Sequence, residues 1–125
     1  MKRSPLVLAG VAALMGAAGV ALAAAGVHVS GGELALRGAQ FLILHACAAL
    51  AIAAHARVAT ASARPLVIVG FVMEAGAALF SAELAVRAFT GARIFPFAAP
   101  IGGTTMLVAW VALAVVFATA DRRPT

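Results

Sequence analysis

The sequence predicts an all-α integral membrane protein: a four-helix bundle with up-down-up-down topology and both termini in the cytoplasm. Three observations carry that expectation. The 125 residues are 65% hydrophobic and 10% charged, with a mean hydropathy of +1.11. Soluble domains sit near 45–50% apolar and about 25% charged, so no soluble core of this length could hide the surplus. The apolar residues also gather into four long runs joined by short linkers, and the basic residues punctuate those runs instead of clustering. That distribution suits loop charges that orient membrane helices and argues against nucleic acid, despite a formal charge of +5.

The four runs set the expected spans. Residues 6–27, 38–56, 66–88 and 101–120 are each close to the roughly 20 apolar residues that cross a bilayer as helix. Alanine supplies 35 positions, and the strict alternation of a barrel strand is missing, so helix is preferred over a β-barrel. Pro5 fits a first helical turn. Gly31 and Gly32 break the chain after the first run, and Pro65 opens the third. Pro96 and Pro100 punctuate the last linker before Gly102 and Gly103. The linkers are too short for another domain, so residues 1–125 read as a single four-span domain.

Orientation follows from basic residues. With a cytoplasmic N-terminus the inner side holds Lys2, Arg3, Arg57, Arg64, Arg122 and Arg123, against Arg37, Arg87 and Arg93 outside. Met1-Lys2-Arg3 and the small residues before Gly26 also have the form of a secretory leader. The apolar run exceeds the usual leader core of about 7–15 residues, which favours a retained first span.

Small residues at helical spacing supply the expected packing seams. Ala12, Gly16, Gly19, Ala23 and Gly26 share a face of the first helix, and Ala46, Ala49, Ala53 and Ala56 one of the second. Gly70, Ala77 or Ala78, Ser81 and Ala85 serve the third, with Gly102, Thr105, Ala109 and Ala112 on the fourth. Between lipid-solvated helices, such close approach does much of the holding.

Ionisable groups within the membrane are costly and need a reason. Glu74 shares a face with Gly70, Ala78 and Ser81 and should point into the bundle. A hairpin folding near Ala61 sets it opposite Ala48, one turn from His45. A His45–Glu74 contact could relay protons or hold a cation, or could be a protonated acid bonded to imidazole as packing. Glu83 lies half a turn around from Glu74, and Glu83 with Arg87 has the i,i+4 spacing of an ion pair near the membrane surface. Alternatively Glu83 meets Arg37, Gln40 or a partner subunit. His28, His45 and His55 differ too much in depth to share a metal or haem, so no cofactor is expected. Cys47, the single cysteine, reads as a buried packing residue. Trp110, halfway along the fourth run, packs inside the bundle or faces lipid. No catalytic motif appears, so the chain is not expected to be an enzyme.

Several islands resemble one family. Ala-Leu-Ala-Ala-Ala-Gly-Val-His at 21–28, His-Ala-Cys-Ala-Ala-Leu at 45–50 and Leu-Phe-Ser at 79–81 are similar to stretches of the YgdD-like small membrane proteins. So are Thr90-Gly91 and Ala99-Pro100-Ile101-Gly102-Gly103, with Trp110 seven residues on. That family is catalogued as domain of unknown function four-two-three. Leu42 stands where it usually has Gln, Ala82 where it has Gly, and Glu83 where it has a small or apolar residue. The resemblance implies a four-span bundle in the bacterial inner membrane and no activity. It draws attention to His28, His45, Pro100, Gly102, Gly103 and Trp110.

Two functional classes follow as expectations. The first is an accessory or assembly subunit of a larger membrane complex, respiratory complexes included, suggested by tiny loops and lateral faces rich in small residues. The alternative is a small proton-linked transporter built on Glu74 and His45. A membrane enzyme acting on lipid or quinone with His45 as base lacks a second polar group at the interface. The bilayer is the expected partner, larger subunits or a second copy remain open, and nucleic acid is excluded.

Overall fold

A computed structural model of the chain, describing residues 3–120, shows four long helices and, among the described residues, no strand. Helix α1 covers Ser4–Gly26, α2 Gly32–Val58, α3 Ala63–Thr90 and α4 Ala98–Ala120. At 1.5 Å per residue they are roughly 35–42 Å long, enough for a hydrocarbon core of about 30 Å. All four are long and apolar enough to cross a membrane. Each starts before its apolar run, and α2 and α3 also end beyond theirs. α2 begins at Gly32 rather than residue 38 and takes in Glu33 and Arg37, because hydropathy marks the bilayer core while the backbone goes on pairing into the polar interface. Lys2, Arg122 and Arg123, half of the expected inner charge, lie outside the described residues.

The ends have local causes. Pro5, Pro65 and Pro100 each sit within a first turn, where a missing N–H breaks no helical bond. α3 stops at Gly91, whose left-handed backbone (φ 71°) lets its N–H close on Arg87. The linker to α4 then passes Phe97, a left-handed residue with a side chain (φ 70°). Its carbonyl receives the Ile101 N–H at 2.9 Å and starts α4.

Close approaches between small residues fix the register. Along α1 and α2, Gly16 faces Ala46, Gly19 faces Ile43 and Gly26 faces Ala35. Between α2 and α3, Gly38 faces Ser81 and Leu84, while Gly70 faces Ile52. Between α3 and α4, Gly76 faces Thr105 and Gly102 faces Phe80. In each series one number rises as the other falls, so consecutive helices run in opposite directions. Val58, Ala63, Ser4 and Ala120 therefore share one end of the molecule, here the terminal end.

The α2–α3 hairpin is the centre. α1 lies against α2 and, less extensively, α3; α4 lies against α3. No Cα of α4 comes within 8 Å of one in α1 or α2. The core joins Leu8 and Ala12 of α1 to Ala49, Ile52, Leu66 and Met73, and reaches Ala109 and Leu113 of α4. Outward residues such as Leu14, Val20, Leu107 and Val111 remain exposed, as side chains solvated by lipid should. The expected seam of α2 is buried throughout. Cys47 is not: it is exposed, correcting the expectation of a packed thiol. One residue past Ala46, it is turned about 100° around the helix from that seam.

Candidate functional site

His45 and Trp110 form the polar centre of the bundle. His45 is 3% exposed, and both its ring nitrogens are engaged. The Trp110 indole N–H reaches His45 Nε2 at 3.1 Å, and His45 Nδ1 lies 2.7 Å from the Phe41 carbonyl one turn earlier. An indole only donates and a carbonyl only accepts, so Nε2 carries the lone pair and Nδ1 the proton. These two contacts hold the ring in one tautomer. Phe41 also packs against Phe80 of α3, with ring centroids 4.9 Å apart. A chain of rings thus runs from α3 through α2 to α4. Lower down, His55 and Phe117 meet edge to face at 5.1 Å. These ring contacts span the gap between the α2 and α4 backbones.

Glu74 lies near the middle of α3 and is 1% exposed, yet neither carboxyl oxygen has a hydrogen-bond partner. The register places it level with Ala46–Ala49 of α2. The expected His45 bond is not made, because both imidazole nitrogens are already taken. A His45–Glu74 relay therefore has no direct link in this conformation.

The other polar groups tie helices and linkers together. Ser81 Oγ donates to the Gly38 carbonyl at 2.8 Å, joining α3 to α2 where two backbones approach closely. Glu83 and Arg87 make the i,i+4 pair at 2.8 Å, but Glu83 is buried at 1% exposure. Its second oxygen accepts the Ile94 N–H at 2.8 Å. The linker bends back over the acid, so Glu83 anchors residues 91–97 instead of facing water or meeting Arg37 or Gln40.

Of the remaining positions singled out in the sequence, His28 and Pro100 are exposed, and Gly102 is buried at the α3–α4 crossing. A Cβ at Gly102 would lie 2.7 Å from the Phe80 nitrogen and 2.8 Å from the Gly76 oxygen. At Gly103 the nearest atom, on the Phe80 ring, is 3.9 Å away. The two glycines have different duties, and only the first is sterically required. No group of three or more metal-ligating side chains occurs among the described residues.

Sequence reasoning missed the Trp110–His45 bond. One signal was available: an indole N–H midway through an apolar helix needs an acceptor, and His45 was the only imidazole at comparable depth. The bond of Glu83 to Ile94 had no such signal, since it depends on how the linker folds.

Comparison with known families identifies the chain. The family described as "Protein of unknown function (DUF423)" matches residues 15–103, from the second half of α1 into the first turns of α4. The chain belongs to that family. No curated protein and no solved structure matches it significantly.

Proposed function

We propose that this chain is a non-enzymatic, four-span protein of the bacterial inner membrane, up-down-up-down with both termini cytoplasmic, and an accessory or assembly subunit of a larger membrane complex. One observation carries the proposal: the buried polar side chains with partners bind other parts of the same chain. Trp110 clasps His45, Ser81 clasps Gly38, and Glu83 holds Arg87 and Ile94. That chemistry builds a rigid support. Meanwhile α1 and α4 stand apart and each keeps an apolar outward face along its length. Two separate lateral faces on a rigid centre suit docking of neighbouring membrane helices, where close packing rather than water expulsion holds partners.

Gentle detergent extraction from the native membrane, with native-gel sizing and mass spectrometry of the tagged chain, tests this reading. A stoichiometric assembly with larger membrane subunits, lost when Val20→Trp or Leu107→Trp blocks an outward face, is the expected result. A lone monomer or homo-oligomer across several mild detergents overturns it. Reporter fusions at the C-terminus check orientation: a fluorescent protein should light and a periplasmic phosphatase stay silent.

Glu74 favours a second reading, a small proton-linked carrier, because a buried carboxyl with no partner stands ready to exchange a proton or cation. Here His45 would have to release Trp110 before it could serve Glu74. Loss of proton-coupled flux in proteoliposomes for Glu74→Gln, with normal assembly, supports this reading; unchanged flux removes it.

A further inference from the structure

The terminal end carries a cavity that the helix packing leaves open. It measures about 440 Å³ and lies where Pro5 of α1, the end of α2 and the start of α3 converge. Its walls are of two kinds. Pro5, Ala56 and Val67 form an apolar floor, while Arg57 and Thr60 line the polar side with the first residue of α3, Ala63. We propose that this cavity binds the phosphate of an anionic glycerophospholipid, with Arg57 and Thr60 as its donors and the apolar floor against the glycerol and upper acyl chain.

Four observations point this way. Arg57 makes no ion pair and Thr60 no hydrogen bond among the described residues, although Thr90, Thr105 and Thr119 return their hydroxyls to carbonyls of their own helices. Arg3 and Arg64 add charge at the same end, and no described acid is there to balance it: Glu33 starts α2 at the other end, and Glu74 and Glu83 lie farther along α3. The α3 N-terminus has no side-chain cap from Ser62, so the positive end of a 28-residue helix adds to the field. Val58, beside Arg57, is 79% exposed, which leaves apolar surface for an acyl chain next to the guanidinium. A guanidinium with an adjacent hydroxyl donates to several phosphoryl oxygens at once, whereas zwitterionic lipids bring an ammonium that the cluster repels.

The opposite end supplies an internal contrast. A cavity of about 370 Å³ there is lined by Glu33 with Ser30, Val29 and Leu36. Size is similar and charge reversed, so it should not select an anionic lipid. The proposal does not depend on which side of the membrane either end faces.

The full chain is purified in mild detergent and exposed to phosphatidylglycerol or phosphatidylcholine, and bound lipid is counted by native mass spectrometry. The wild type should retain one phosphatidylglycerol in preference to phosphatidylcholine. Arg57→Gln should weaken that retention about tenfold, the scale of one lost charge-assisted contact, and Thr60→Val less. Arg93→Gln, in the opposite linker, should not change it, and unchanged Trp110 emission confirms that each variant is folded. Equal retention by Arg57→Gln and wild type overturns the proposal, as does an equal loss in Arg93→Gln. Millimolar inorganic phosphate should fail to displace the lipid; full displacement makes the site one for the free anion and overturns the lipid assignment.

Discussion

Replacing Gly102 with alanine tests how tightly α3 and α4 are joined. The new Cβ would sit 2.7 Å from the Phe80 nitrogen, 2.8 Å from the Gly76 oxygen and 3.0 Å from the Phe80 Cα, where ordinary contact begins at 3.4 Å. All three are backbone atoms, so no rotamer change relieves them and the helices must separate. Gly76 gives no slack, since its own α-carbon already faces the Gly102 oxygen and the Met106 nitrogen. Overpacking of this kind costs about 1–3 kcal/mol, and the better helix propensity of alanine returns up to about 1 kcal/mol. The expected net loss is therefore up to about 3 kcal/mol, and about 1–3 kcal/mol relative to a control that gains the same helix propensity. Gly103→Ala is the matched control: the same chemical change, one residue on, with 3.9 Å of clearance to the Phe80 ring. It should be neutral or slightly stabilising. Reversible unfolding in mixed micelles titrated with dodecyl sulfate, followed by circular dichroism, measures both. Equal stability for the two variants, or a more stable Gly102→Ala, would refute the backbone-contact argument.

Three further outcomes follow from the polar groups. Glu74→Leu should raise stability by about 1–3 kcal/mol in the same unfolding assay, because it removes a buried group with no partner. A loss would mean that Glu74 has a bond at rest. Ser81→Ala should cost about 0.6 kcal/mol and no more than about 1.7, the range for hydrogen bonds between membrane helices. Glu83→Ala should speed hydrogen exchange at the Ile94 amide about tenfold while leaving the middle of α3 protected, as read by mass spectrometry.

How much of this was legible depended on which physical quantity the sequence encodes directly. Hydropathy located all four long helices, because a helix that crosses a bilayer needs a continuous apolar run. Glycine and alanine spacing located the α1–α2 contact, because any larger residue at Gly19 would meet Ile43. Helix ends were less visible: Glu33 and Arg37 look like linker by hydropathy but satisfy their backbones within α2. Rotation about a helix axis was hardest to read. Hairpin register put Glu74 near His45 in height, and in height it is near. Yet whether an imidazole turns toward α3 or α4 depends on packing, and Trp110 claimed it. The same kind of angular error misplaced Cys47, a single residue beyond the buried seam. Glu83 was paired correctly with Arg87 by spacing alone, while its burial depended on a linker whose path includes a left-handed Phe97.

The clasp between Trp110 and His45 has an optical consequence. The chain has one tryptophan and no tyrosine, so its near-ultraviolet emission comes from a single indole. That indole is 42% exposed at the side of α4 while its N–H rests on α2. Its colour and lifetime therefore register both the surrounding acyl chains and the separation of two helices whose backbones do not meet. Parting of that clasp would thus appear as a change in the molecule's own fluorophore, giving a label-free record of whether the bundle is closed.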